Sequence, residues 1–272
     1  MSNILIRTIA GAFFVIAIIG SIFWGALPFA ILFLVFSQMA LYEYFRMLNG
    51  AKFAPIFIFA MIASVLVYLI ITPYFSGMIS IDLLIAGFIA FIVIFIFGLF
   101  SKSDHAFDNI ARSVLGVVYI IVPFALLNYF FYIKSFPLET SPMFLLGFFV
   151  IQWVYDIFAY LFGKYFGKNK LFERISPKKT WEGFIGGTII ALIVSLGVNY
   201  ILIDLGWMQW MIITSLIIVF GTLGDLSVSM IKRHFNVKDT GKIIPGHGGV
   251  LDRFDSILFS APVVFLYFYL VL

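Results

Sequence analysis

Nine stretches of roughly 20 mostly apolar residues run through this 272-residue chain, and each has the length a helix needs to cross a bilayer. They cover about residues 4–24, 27–45, 55–72, 83–100, 113–133, 143–162, 184–203, 210–231 and 257–272. In hydrocarbon, every backbone N–H and C=O must find its partner within the protein, so such stretches are expected to be helical. The expected fold class is all-α: a polytopic integral membrane protein of about nine transmembrane helices. Charged residues are only 11% of the chain, against about a quarter in a soluble domain, and Phe alone occurs 35 times. Lipid must be the solvent for most of this surface. The first span follows Arg7 but is too long for a signal-peptide core, and Phe23-Trp24-Gly25 offers no small-residue cleavage site, so it is read as a retained helix. With no repeat or linker in sight, residues 1–272 are expected to form one multi-pass domain. Within it, 1–140 hold N-terminal spans and 141–272 the catalytic helices and loops.

Charge orients the chain. The N-terminus and alternate loops carry sixteen of the seventeen basic residues: Arg7, Arg46, Lys52, Lys102, Arg112, Lys164, Lys168, Lys170, Arg174, Lys178, Lys179, Lys232, Arg233, Lys238, Lys242 and Arg253. The other loops hold only Lys134. Basic loops stay in the cytoplasm, so the N-terminus is expected inside and the C-terminus outside. Cysteine is absent, which excludes disulfides, thiolate metal sites and a Cys nucleophile. Three histidines without cysteine make a poor zinc site, and no G-x-S-x-G elbow is present. Gly163–Asn169 superficially resembles a P-loop, but its spacing is one residue short and it follows a membrane helix. The small net charge of +4 gives no reason to expect a nucleic-acid partner.

Polar chemistry is concentrated late in the chain. Asp156 lies inside the sixth span, where an ionisable group is costly and points to function. The plainer alternative is a buried polar group bonded to a neighbouring helix. On the eighth span, Asp225, Ser229 and Lys232 are spaced i, i+4, i+7 and share one helix face. A carboxylate, a hydroxyl and a cation there suit a metal–phosphate site, although a helix cap and a snorkelling lysine would look the same. The loop from Lys238 to Asp255 contains Asp239, Gly241, Pro245, Gly246, His247, Gly248 and Gly249, and its backbone amides can approach an anion closely. Asp252 and Asp255 are expected to open the last helix on one face, offering the oxygen ligands a hard cation such as Mg²⁺ requires. A third polar segment, Ser176-Pro177-Lys178-Lys179-Thr180-Trp181-Glu182-Gly183, is read as a loop before the seventh span. Alone, it could equally be an orienting basic loop that touches anionic lipid headgroups.

Together these segments resemble the signature of the phosphatidate cytidylyltransferases, or CDP-diacylglycerol synthases. The resemblance is carried by Ser229-x-x-Lys232-Arg233, Lys238-Asp239-x-Gly241 and Pro245-Gly246-His247-Gly248-Gly249-x-x-Asp252-Arg253-x-Asp255. Ser176-Pro177-Lys178-Lys179-Thr180-x-Glu182-Gly183 resembles the family's second polar segment; residues 1–140 contain nothing diagnostic. The resemblance implies that CTP and phosphatidic acid give CDP-diacylglycerol and pyrophosphate at the cytoplasmic face of the inner cell membrane. It implies a homodimer in the lipid bilayer and dependence on Mg²⁺, with Asp225 and Asp252 as ligands and a second, monovalent cation nearby. Catalytic roles are expected for Asp225, Asp252, Lys232 and Asp255. Substrate contacts are expected from Ser176, Lys178, Lys179, Thr180, Glu182, Ser229, Arg233, Lys238, Asp239, His247, Gly248, Gly249, Arg253 and Asp156. The rival readings are a CTP-dependent enzyme acting on an isoprenoid phosphate or alcohol, and a transporter. A transporter is disfavoured because its repeats and midplane broken helices are missing.

Overall fold

The computed structural model describes residues 3–49, 55–78, 80, 85, 87–133, 136–137, 140–244, 246 and 248–271. It is mostly helical, and among the described residues seven helices are long and apolar enough to cross a membrane. The expectation of about nine is a little more than that. The remaining two apolar stretches are the N-terminal helix, Asn3–Trp24, and the shorter Ile89–Leu99. The chain divides into two compact units, each assembled from separate segments: Met1–Tyr132 with Phe235–Phe254, and Ile133–His234 with Asp255–Leu272.

The first unit contains α1 (Asn3–Trp24), α2 (Ala26–Asn49), α3 (Pro55–Phe75), α4 (Ile89–Leu99) and α5 (Ala106–Phe131). A π-helical turn, Val117–Ile121, interrupts α5 just before Pro123, which has no backbone N–H to continue the ladder. Several polar groups inside this unit pair with one another, which offsets the cost of burying them in hydrocarbon. Gln38 donates to Ser64 at 2.9 Å, Tyr68 donates to the Ala30 carbonyl at 2.9 Å, and Asn128 donates to the Tyr68 hydroxyl at 3.0 Å. The late segment joins through α9 (Leu251–Phe254), whose last residue is buried. The Phe254 ring meets those of Phe14, Phe33, Phe36 and Phe124 at centroid distances of 4.9–5.6 Å. Tilted aromatic packing of this kind adds to the burial itself and pins the end of the glycine-rich loop.

The second unit contains α6 (Ser141–Phe166), α7 (Trp181–Ile201), α8 (Trp207–His234) and α10 (Ile257–Val271). Between α6 and α7 lies a hairpin of β1 (Lys170–Phe172) and β2 (Ser176–Thr180), paired antiparallel. The segment expected to be a loop is thus a strand. Helices α6 and α7 approach closely because small residues face each other. A Cβ on Gly183 would stand 2.6 Å from the Ala159 carbonyl oxygen, and one on Gly187 would stand 2.9 Å from the Ala159 nitrogen. In lipid, where apolar burial between helices gains little, such backbone contact is what holds helices together. The expectation that Asp252 and Asp255 share one continuous helix face is corrected here. A turn at Asp255–Ser256 separates α9 from α10, and Asp255 sits in it.

Candidate active site

In the second unit the hairpin aims one lysine inward. Along β2, Lys178 is exposed and Lys179 is half-buried. Lys179 Nζ lies 2.5 Å from an Asp225 carboxylate oxygen on α8. The strand ends where α7 begins: Thr180 is extended and its side chain accepts from the Gly183 N–H at 3.2 Å, an N-cap. Glu182 accepts from the Lys168 and Asn169 N–H groups, each at 3.1 Å, and from the Asn169 side chain at 2.7 Å. The hairpin is thereby tied at both ends to the first turn of α7, and Ser176 lies half-buried at its far end.

Around Asp225 the shared helix face holds. Ser229 donates to it from one turn further on, at 3.2 Å. Asp255 lies within electrostatic reach of Asp225, Lys232, Asp156 and Lys179. Its backbone carbonyl would stand 2.5 Å from a Cβ at Gly224, so that glycine lets the turn come against α8. Asp156, on α6, accepts from Gln152 at 3.1 Å, and the neighbouring Tyr155 bonds Thr222 of α8 at 2.7 Å. This unit therefore gathers three carboxylates and two lysines. Arg233 is exposed.

In the first unit the glycine-rich loop folds back on itself, with the Ile244 N–H donating to the Gly248 carbonyl at 3.1 Å. Gly248 has φ +85° and a Cβ there would stand 3.1 Å from an Asp252 carboxylate oxygen, so glycine is needed for both conformation and space. That Asp252 oxygen accepts three hydrogen bonds: from the Thr240 N–H at 2.8 Å, the Thr240 hydroxyl at 3.0 Å and the Gly249 N–H at 3.1 Å. Lys238, Asp239 and Arg253 are exposed, and Asp239 flanks Gly248. His247 lies outside the described residues.

One residue at the heart of this loop escapes the sequence reading. Glu43, on α2, is 1% exposed and accepts from the Val250 and Leu251 N–H groups, both at 3.0 Å, and from the Thr240 hydroxyl at 3.2 Å. The signal available was its position: a carboxylate inside the second predicted span, where ionisable groups are rare.

The donor set suits a hard cation. Asp156, Asp225 and Asp255 all offer oxygen ligands, with Lys179 and Lys232 beside them. The buried Gln152 Oε1, beside Asp156, has no hydrogen-bond partner among the described residues. Among those residues no three His, Asp or Glu side chains could hold an ion by themselves. Mg²⁺ does not require that, since it commonly takes one or two carboxylates and completes its shell with water and substrate phosphates.

Comparison with known proteins gives a consistent result. The model of the cytidylyltransferase family matches residues 5–271. A phosphatidate cytidylyltransferase of Staphylococcus aureus (strain COL) is 37% identical over 265 residues, covering 95% of this chain and 96% of the relative. The Bacillus subtilis (strain 168) protein of the same name is 34% identical over 270 residues, covering 98% and 97%. That of Staphylococcus saprophyticus is 36% identical over 262 residues, covering 95% and 96%.

Proposed function

The chain belongs to the cytidylyltransferase family, and from that premise we propose that this membrane nucleotidyltransferase moves the cytidylyl group of CTP onto phosphatidic acid. A phosphatidate oxygen attacks the α-phosphorus of CTP and forms the new P–O bond. The bond from that phosphorus to the bridging oxygen breaks, and pyrophosphate leaves with the electron pair. The lipid phosphate is already a competent nucleophile, so no covalent enzyme intermediate is needed. The protein's task is to position two anions and offset their charge. The observation that carries this reading is Lys179 seated on Asp225 beside Asp255 and Lys232, cations and carboxylates gathered at one place in a chain with few of either.

Lys179 and Lys232 are assigned to the phosphates, with Ser229 orienting Asp225. Asp225 and Asp252 are the carboxylates assigned to Mg²⁺, which would neutralise phosphate charge and stabilise the departing pyrophosphate when bound. A second, monovalent cation belongs to the same reading. So do a homodimer and an active site facing the cytoplasm from the inner membrane, where sixteen basic residues are expected.

The test is an assay of purified protein in lipid with phosphatidate and CTP labelled at the α- or the γ-phosphate. Label from the α position should enter the lipid and label from the γ position should leave as pyrophosphate. Transfer to an isoprenoid phosphate or alcohol, with none to phosphatidate, would replace the proposed acceptor.

A further inference from the structure

Glu43 is a buried carboxylate in a membrane helix, far in sequence from every signature segment, and the chemistry above gives it no task. Its surroundings are built for it. Gly241 and Gly249 pack against it so tightly that a Cβ on either would fall inside van der Waals distance of its carboxylate. Its two oxygens take the backbone N–H groups that open α9, Val250 and Leu251. Hydrogen bonds to an ionised acceptor are the strong ones, and a buried carboxylate without them would be costly.

The link to Asp252 passes through one atom. The Thr240 hydroxyl lies 3.2 Å from Glu43 Oε2 and 3.0 Å from Asp252 Oδ2. A hydroxyl has a single hydrogen, so the two carboxylates share it and only one receives it at a time.

We infer that Glu43 is a positioning residue: through Thr240 and the Val250 and Leu251 amides it fixes the glycine-rich loop, and with it the carboxylate of Asp252. This rests on the assignment of Asp252 to Mg²⁺. Glu43 acts through the groups it accepts from, Thr240, Val250 and Leu251. It sets where Asp252 stands, and misplacement of a reacting site by about 1 Å can cost on the order of 100-fold.

Glu43→Gln preserves shape but puts an amide N–H against a donor. In purified protein without divalent ions, hydrogen exchange over Gly248–Phe254 should accelerate about tenfold or more, with α3 unchanged. The Mg²⁺ concentration giving half-maximal rate should rise about tenfold, which a mere loss of folded protein would not produce. Ser64→Ala, which removes another buried polar contact of α2, should lower thermal stability without moving either reading. If Glu43→Gln fails to accumulate, Thr240→Val should show both changes and Thr240→Ser neither. Unchanged exchange and Mg²⁺ dependence in Glu43→Gln, an equal shift in Ser64→Ala, or identical behaviour of the two Thr240 variants would each overturn the inference. Asp252→Asn separates the two claims. Full turnover there refutes the assignment of Asp252 itself. An inactive Asp252→Asn beside a wild-type Glu43→Gln refutes only the positioning role.

Discussion

Lys179, from a two-stranded hairpin, sits 2.5 Å from the carboxylate of Asp225 on α8, while its neighbour Lys178 is exposed. Sequence alone makes the two lysines equivalent; the fold buries one in part and leaves the other exposed. Lys179→Ala should therefore cut turnover by about 100-fold or more, as for loss of one preorganised charge-stabilising donor. Lys178→Ala should leave it nearly unchanged. Steady-state kinetics on the two purified variants, at matched membrane levels, decides; equal effects would mean that the hairpin is a generic basic patch.

Asp225→Asn and Asp252→Asn keep the shape of the side chain and remove its charge. Each should insert normally and lose at least about 100-fold in activity. If both serve one chemical step, the double variant should be hardly slower than either single one, because residues acting as a unit are not additive. Chelation should silence the wild-type enzyme and added Mg²⁺ restore it. Near-normal turnover in either single variant would remove that residue from the chemistry.

The contact between α6 and α7 tolerates no Cβ at Gly183, which would stand 2.6 Å from a backbone carbonyl that cannot move aside cheaply. Gly183→Ala should destabilise the protein by about 1–3 kcal/mol, an overpacking cost. Gly197→Ala, on the same helix with nothing within 4 Å of its Cβ, should stay within about 0.5 kcal/mol. Thermal unfolding in one detergent compares them directly.

Membrane topology can be read from fusions. Reporters after Lys168 and Lys242 should both signal cytoplasm, since two long apolar helices separate them, and a fusion at Leu272 should signal the outside. A fusion after Leu48 is the informative one. It should report cytoplasm if the short Ile89–Leu99 helix belongs to a complete crossing, and the outside if it does not.

Length and hydropathy were enough to recover the helical membrane fold, because lipid leaves the backbone few alternatives. The face shared by Asp225 and Ser229 also followed from spacing, as the 3.2 Å bond between them shows. The hairpin did not. Ser176–Thr180 has a Pro and two lysines, poor strand formers, and its pairing is set by a neighbour rather than by its own composition. The turn at Asp255 was missed because nothing in Asp252-Arg253-Phe254-Asp255 forbids a helix; Phe254 is held by aromatic rings more than two hundred residues away in sequence, including Phe14 and Phe36. Glu43 was passed over for a similar reason: its partners are 197 to 208 positions downstream.

That separation has a consequence for biosynthesis. At roughly 5–20 residues per second, a ribosome needs on the order of 10–40 s to travel from Glu43 to the amides it accepts from. Through that interval α2 carries an acidic side chain whose partners do not yet exist. Its carboxyl group must be held by a proton, by water or by the insertion machinery. The amino-terminal bundle therefore cannot reach its final state as it emerges. A nascent chain stalled before Thr240 would present the membrane quality-control system with an orphan acid, and completion of translation is what removes that mark.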